Sequence, residues 1–248
     1  MDFRQTTILD LTQQVQTGQT SCKALVTAAL QNIHRLDPVI NAFCAVDDAR
    51  ALDEAAKIDQ RLAAGEHLPL AGIPFGVKDL EDAQGYITTF GSAFHTEDAP
   101  ALEDSELVRR LRAAGAIVVG KTNTPEFGYK GKTDNVPFGV TKNPWDLTRT
   151  PGGSSGGSSA ALAAGMVPLA TGSDGGGSIR IPAALCGLSG IKTSQGRVPN
   201  GGPKPTGSGL LTVKGPMTRR IRDAAFVLDQ CIGAEPTDIF SLPAPNAP

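Results

Sequence analysis

Two glycine- and serine-rich clusters frame one apolar segment in the middle of this chain. The first is Thr150-Pro-Gly-Gly-Ser-Ser-Gly-Gly-Ser-Ser159 and the second Thr171-Gly-Ser-Asp-Gly-Gly-Gly-Ser-Ile-Arg-Ile-Pro182, with Ala160 to Ala170 between them. A flexible linker carries Gly and Ser without apolar periodicity. Here the intervening segment is apolar and has to be buried, which draws the glycine-dense backbone into a core. Backbone without Cβ atoms permits close approach of another group, so the stretch reads as a site.

The remaining bounds are permissive. With 248 residues, 40% of them hydrophobic, the chain can bury one large core, and a single domain over 1–248 is expected. A formal net charge of −2 supplies no basic patch for nucleic acid or an anionic membrane, so a small-molecule partner is expected. The N-terminus lacks the charged start and apolar run of a signal peptide, and no run reaches about 18 apolar residues. A soluble, cytoplasmic protein is the expectation. Cys22, Cys44, Cys186 and Cys231 are irregularly spaced, as are His34, His67 and His95, so free thiols and no metal or other cofactor are expected.

Hydrophobic periodicity predicts a helix over 7–17 and a second, capped by Ser21, that breaks at Asp37-Pro38. A short strand over 41–46 and a helix over 48–64 stopped by Gly65 follow. Pro74 marks 72–79 as an edge or strand-initial segment that delivers Lys78 at its end. Asp104 is expected to cap a helix over 105–114, and Ala116 to Val119 reads as a buried parallel strand. The segment 121–151 reads as a long loop, 155–164 as a small-residue helix, 167–171 as a strand and 178–185 as a helix. A polar turn region over 196–209, a helix over 218–232 and a solvated Pro/Ala-rich tail over 241–248 complete the chain. The alternation predicts α/β architecture, helices on both faces of a largely parallel or mixed sheet, with ligands beyond the carboxyl ends of the strands.

A strand ending at Thr171, a glycine turn and a helix beginning near Ser178 aim successive N–H groups at one point, where they can bind negative charge. In acyl transfer that charge is the oxyanion of a tetrahedral intermediate, with Gly176, Gly177 and Ser178 as donors and Ser178 as attacking group. A tight turn with a capping serine explains the same residues equally well. Gly152-Gly-Ser-Ser-Gly156 matches the G-x-S-x-G elbow of α/β-hydrolases, but that fold needs a later histidine and all three precede Ser154. Ser189-Gly-Ile-Lys192 fits S-x-x-K, yet its companion Thr133-Asp-Asn135 comes in the wrong order. Lys78, at a strand end in an apolar segment, is the better base, since desolvation favours the neutral amine. The bland alternative pairs Lys78 with Asp79 or another acid. No G-x-x-x-x-G-K-[ST] is present, which argues against nucleotide binding.

Together these residues resemble the amidase signature family. The likeness runs through 151–159, 172–183, Cys186-Gly-Leu188, Gly190-Ile-Lys192 and Gly196-Arg-Val198. It extends to Gly72-Ile-Pro-Phe-Gly-Val-Lys-Asp-Leu80, Gly120-Lys-Thr-Asn-Thr-Pro-Glu-Phe-Gly128, Gly215-Pro-Met-Thr218 and Arg222-Asp-Ala224. The resemblance implies a mixed central sheet flanked by helices, C-terminally truncated here, and a Ser-cisSer-Lys triad. In that triad Lys78 is the base, Ser154 the bridging serine after a cis peptide, and Ser178 the nucleophile. Backbone donors at Gly175, Gly176, Gly177 and Ser178 form the oxyanion hole. Ser155 supports the Lys78 side by hydrogen bonding, and Asp174 with Arg180 braces the nucleophile loop.

The activity implied is hydrolysis of a small carboxylic acid amide to acid and ammonia or amine. Gly175 and Ile181 stand where glutamyl-tRNA amidotransferase A subunits commonly have Thr and Gln, which resembles stand-alone amidases more. Two other readings stay open: such an A subunit, and an inactive or partner-dependent fragment. The partners expected are an amide substrate and either a homodimer mate or a second polypeptide completing the fold, with no direct nucleic-acid or membrane contact.

Overall fold

The computed structural model describes residues 1–201 and 211–245. Its elements are α1 (Ile8–Gln16), α2 (Cys22–Ile40), β1 (Phe43–Val46), α3 (Asp48–Ala63), β2 (Pro74–Lys78), α4 (Glu106–Ala113) and β3 (Ile117–Thr122). Then come the two-residue strands β4 (Asp134–Asn135) and β5 (Gly139–Val140), followed by α5 (Gly156–Ala164), β6 (Leu169–Asp174), α6 (Arg180–Cys186), β7 (Ser189–Gly190), β8 (Val213–Thr218) and α7 (Ile221–Asp229).

One mixed six-stranded sheet runs in the order β1-β3-β2-β6-β8-β7. β2 is parallel to both β3 and β6, whereas β1, β8 and β7 join antiparallel. Every residue of β2, β3, β6 and β8 is buried, so helices and loops cover both faces of the sheet, as expected for this architecture. The parallel trio puts the carboxyl ends of β2 and β6 side by side.

Several expectations are corrected. Of the two placements expected for Pro74, edge or strand-initial, the structure has the second: β2 lies between two partners and Pro74 opens it. α2 does not break at Asp37-Pro38 but runs to Ile40, ending at Asn41 in the left-handed region (φ 58°). The Asp37 carboxylate closes that turn by accepting from the Ala42 and Phe43 N–H groups, at 2.6 and 3.2 Å. Ser105, not Asp104, occupies the N-cap of α4. Asp104 faces away from that cap, accepting the Gln84 N–H at 2.7 Å and lying 3.4 Å from Arg112 Nε.

β6 continues to Asp174 instead of ending at Thr171, and α6 begins at Arg180, which leaves Ser178 in the preceding loop. Within 121–151, Lys121 and Thr122 still belong to β3, and β4 and β5 form a small hairpin. β8 has no counterpart in the sequence reading because Gly215-Pro216 interrupts its pattern. The helix expected over 218–232 shortens to α7, since Thr218 ends β8.

Of the polar turn region, 202–210 lies outside the described residues, as does 246–248 of the tail. Residues 241–245 form no helix or strand, and the Leu242 N–H donates to the Gly196 carbonyl at 2.9 Å. Cys22, Cys186 and Cys231 are buried free thiols, and Cys44 is half-buried. Among the described residues, no helix is long and apolar enough to cross a membrane.

Candidate active site

Lys78 closes β2 and is wholly buried. Its Nζ donates to Ser154 Oγ at 2.7 Å and to Ser173 Oγ at 3.0 Å, while its N–H is held by Thr171 Oγ1 at 2.9 Å. Removal from water disfavours the ammonium form and brings the Lys78 pKa from 10.5 to about 7, against the opposing pull of Glu81 and Asp174. The bland pairing with Asp79 does not occur. Asp79 is joined to Lys121 at 2.8 Å, both buried, and accepts from the Thr89 N–H and hydroxyl.

Ser154 lies in the loop that enters α5. The Gly153–Ser154 peptide is cis, as the family resemblance implies. Two threonines fix this loop: Thr124 Oγ1 donates to the Ser154 carbonyl at 3.0 Å and Thr133 Oγ1 to the Gly152 carbonyl at 2.9 Å. Gly153 is needed for close approach, because a Cβ there would lie 2.8 Å from the Lys130 and Lys132 carbonyl oxygens.

Ser155 supports Lys78 differently from the expectation. Its hydroxyl bonds to the N–H and carbonyl of Ser173, at 3.4 and 3.5 Å, so it holds the backbone of the residue that touches Lys78. The Ser155 N–H donates to the Ser178 carbonyl at 3.2 Å, tying the two serine-bearing loops together. Ser173 itself is missed by the sequence reading. Its signal lies in the strand pairing: β6, extended to Asp174, runs parallel beside β2 and brings its C-terminal end to Lys78.

The glycine loop is organised by Asp174. Its carboxylate accepts from Arg180 Nε and Nη2, both at 2.9 Å, and from the N–H groups of Gly177 (2.8 Å), Ile179 (3.2 Å) and Arg180 (3.3 Å). Burial pushes the Asp174 pKa up, but the Arg180 guanidinium and the loop N–H groups outweigh it and bring the pKa to about 2. Asp174 and Arg180 are thus paired within the loop that carries Ser178.

One member of the expected oxyanion set is corrected. The Gly177 N–H is turned inward to Asp174, which its φ of +121° permits, and it faces away from the space in front of Ser178. The N–H groups of Gly175, Gly176 and Ser178 have no hydrogen-bond partner among the described residues. Gly175 and Gly176 are exposed and Ser178 is half-buried. Ser178 Oγ also has no partner there, and no hydrogen bond joins it to Ser154 Oγ. The arrangement therefore holds a buried amine on a serine hydroxyl, beside a second serine with unclaimed N–H groups around it.

Residues 24–248 match the model of the protein family described as Amidase. The chain belongs to the amidase signature family. It is 50% identical over 212 residues to AmiB2 of Mycobacterium tuberculosis, described as an amidase, a match covering 86% of this chain and 45% of that protein. The glutamyl-tRNA(Gln) amidotransferase A subunit of Roseiflexus castenholzii is 45% identical over 244 residues, covering 98% of this chain and 49% of that one. A bacterial aryl acylamidase of the amidase signature family superposes with a TM-score of 0.90 at 35% identity, covering 96% of this chain and 50% of that one. This amidase signature chain spans about half the length of the curated relatives it matches.

Proposed function

We propose that the protein hydrolyses a small carboxylic acid amide through an acyl-enzyme on Ser178. The observation that carries the reading is Lys78: a wholly buried amine, with a pKa near 7, donating to Ser154 Oγ at 2.7 Å. As the neutral amine, Lys78 accepts the Ser154 proton while Ser154 accepts that of Ser178, whose Oγ then attacks the substrate carbonyl carbon. This relay requires a hydrogen bond between the Ser154 and Ser178 hydroxyls, which is not among those of the described residues. Negative charge on the carbonyl oxygen is met by the N–H groups of Gly175, Gly176 and Ser178. The C–N bond breaks as the relay runs backwards and protonates the leaving nitrogen, giving ammonia or an amine and the Ser178 ester. Water deprotonated by the same relay attacks the ester, and the acid leaves with Ser178 restored.

Labelling with a serine-directed fluorophosphonate, located by mass spectrometry, tests the reading. Modification of Ser178 that is lost in Lys78→Ala supports it, and protein that stays unmodified refutes it. A panel of amides read by ammonia release then assigns the acyl group.

The 45% identity to an amidotransferase A subunit favours one second reading, in which the same residues release ammonia from glutamine for transfer within a complex. Glutaminase activity that appears only when partner subunits are added supports this version, and partner-independent turnover of simple amides excludes it.

A further inference from the structure

The reaction proposed above needs Lys78 without its proton, yet carboxylates surround it. Glu81 follows β2 by three residues, and its N–H folds back onto the Lys78 carbonyl at 2.9 Å. Its side chain is buried. Glu81 acts on Lys78 to favour its ammonium form, as a buried carboxylate does unless something else claims it. Lys214 claims it, with Nζ 2.7 Å from Glu81 Oε2 in an ion pair whose side chains are only 9% and 3% exposed.

Lys214 comes from β8, directly opposite Ser173 of β6. Opposed residues of an antiparallel pair project from the same face of the sheet, and Ser173 Oγ is the second acceptor of Lys78 Nζ. Two lysines therefore flank one cluster with different partners: Lys214 holds a carboxylate, and Lys78 holds two hydroxyls.

We propose that Lys214 is a positioning residue that sequesters the Glu81 carboxylate, so that Lys78 is left to Ser154 and Ser173; this rests on the reading of the site given above. The other charges around Lys78 are already spoken for. Asp174 of β6 is held by Arg180, and Asp79, next along the chain, by Lys121 of β3. α5 carries no charged residue, Lys130 and Lys132 pair with Asp134, and on α2 His34 pairs with Asp48 while Asp37 caps Ala42 and Phe43. Among the described residues, Glu81 is thus the carboxylate near Lys78 that is paired with Lys214.

The test is the pH dependence of fluorophosphonate labelling at Ser178 in the protein and three variants. For the unmodified protein the rate falls on the acid side of a limb near pH 7. In Lys214→Met the limb moves to higher pH by about one unit, so the ratio of rates at pH 6.5 and pH 9.5 drops about tenfold. Lys214→Arg keeps the limb in place, and Glu81→Gln/Lys214→Met returns it to pH 7 or below. Glu81→Gln alone, which leaves Lys214 uncompensated beside Lys78, moves the limb to lower pH and decides the question where Lys214→Met fails to fold. A limb that stays put in Lys214→Met, or in Glu81→Gln when that is the usable variant, overturns the inference while leaving the reading of the site intact. Absence of Ser178 labelling in the unmodified protein at every pH overturns both.

Discussion

Replacing Lys78 by methionine separates what this side chain costs from what it does. In the unfolded chain Lys78 binds its proton up to about pH 10.5, whereas in the native protein it does so only up to about pH 7. Between those values the unfolded state holds more protons, so stability rises with pH and is lost as pH falls towards 7. The fall in pKa corresponds to about 5 kcal/mol, of which about 4 kcal/mol is felt at pH 7 and about 2 kcal/mol at pH 9. Methionine fills a similar volume without a charge and removes this pH dependence. It also leaves the Ser154 and Ser173 hydroxyls without the donor they share, a loss of about 1–3 kcal/mol for each. The two effects nearly cancel at pH 7, which makes the slope the diagnostic quantity. Urea unfolding followed by far-ultraviolet circular dichroism at pH 7 and pH 9 should show the unmodified protein gaining about 2 kcal/mol relative to Lys78→Met, because every other titrating group is common to both. Labelling of Ser178 should vanish in the variant at either pH. Stability differences that are equal at pH 7 and pH 9 would refute a desolvated Lys78.

Four further outcomes are expected. Ser178→Ala should abolish labelling and turnover while leaving the free energy of unfolding in urea within about 0.5 kcal/mol of that of the unmodified protein, since its hydroxyl has no hydrogen-bond partner among the described residues. Ser173→Ala should slow labelling about tenfold by removing one of the two hydroxyls that orient Lys78, and a rate unchanged by this substitution would dismiss Ser173 from the site. Arg180→Ala should destabilise the protein at pH 6, with the difference shrinking as pH falls from about 4 towards 2, because Asp174 is held ionised in the native state and contributes only above its unfolded pKa; equal stabilities at pH 6 exclude the brace. Gly153→Ala should lower stability by about 1–3 kcal/mol and labelling with it, read from urea curves, as its Cβ would lie 2.8 Å from two backbone carbonyl oxygens.

The parts legible in the sequence are those that one local pattern determines. The small-residue helix α5, the strand that ends on Lys78, and the loop-to-helix passage at Ser178 all follow from apolar spacing and glycine placement. What escapes such patterns is set by pairing between distant segments. Ser173 touches Lys78 because β2 and β6 are parallel neighbours, and Lys214 meets Glu81 because β8 lies antiparallel on the far side of β6. Nothing local in 213–218 announces a strand, since Gly215-Pro216 reads as a turn until β6 supplies its partner. The direction of the Gly177 N–H is illegible for a related reason: four successive donors look alike in a sequence, and only the position of the Asp174 carboxylate selects which one turns inward. Asp104 shows the converse, a good cap residue that a nearby arginine and a loop N–H compete for successfully.

α5 carries a last consequence. It contains nothing larger than one leucine, and eight of its nine residues are buried, so it occupies a slot with the bore of a bare backbone. A segment with the composition of a linker is then among the least forgiving stretches of the molecule. In a library randomised over 156–164, variants that retain function should draw almost wholly on Gly, Ala and Ser outside Leu162, whereas the outer faces of α3 and α4 accept most side chains. Permissiveness to mutation would run opposite to apparent sequence complexity, with the plainest part of the chain the hardest to rewrite.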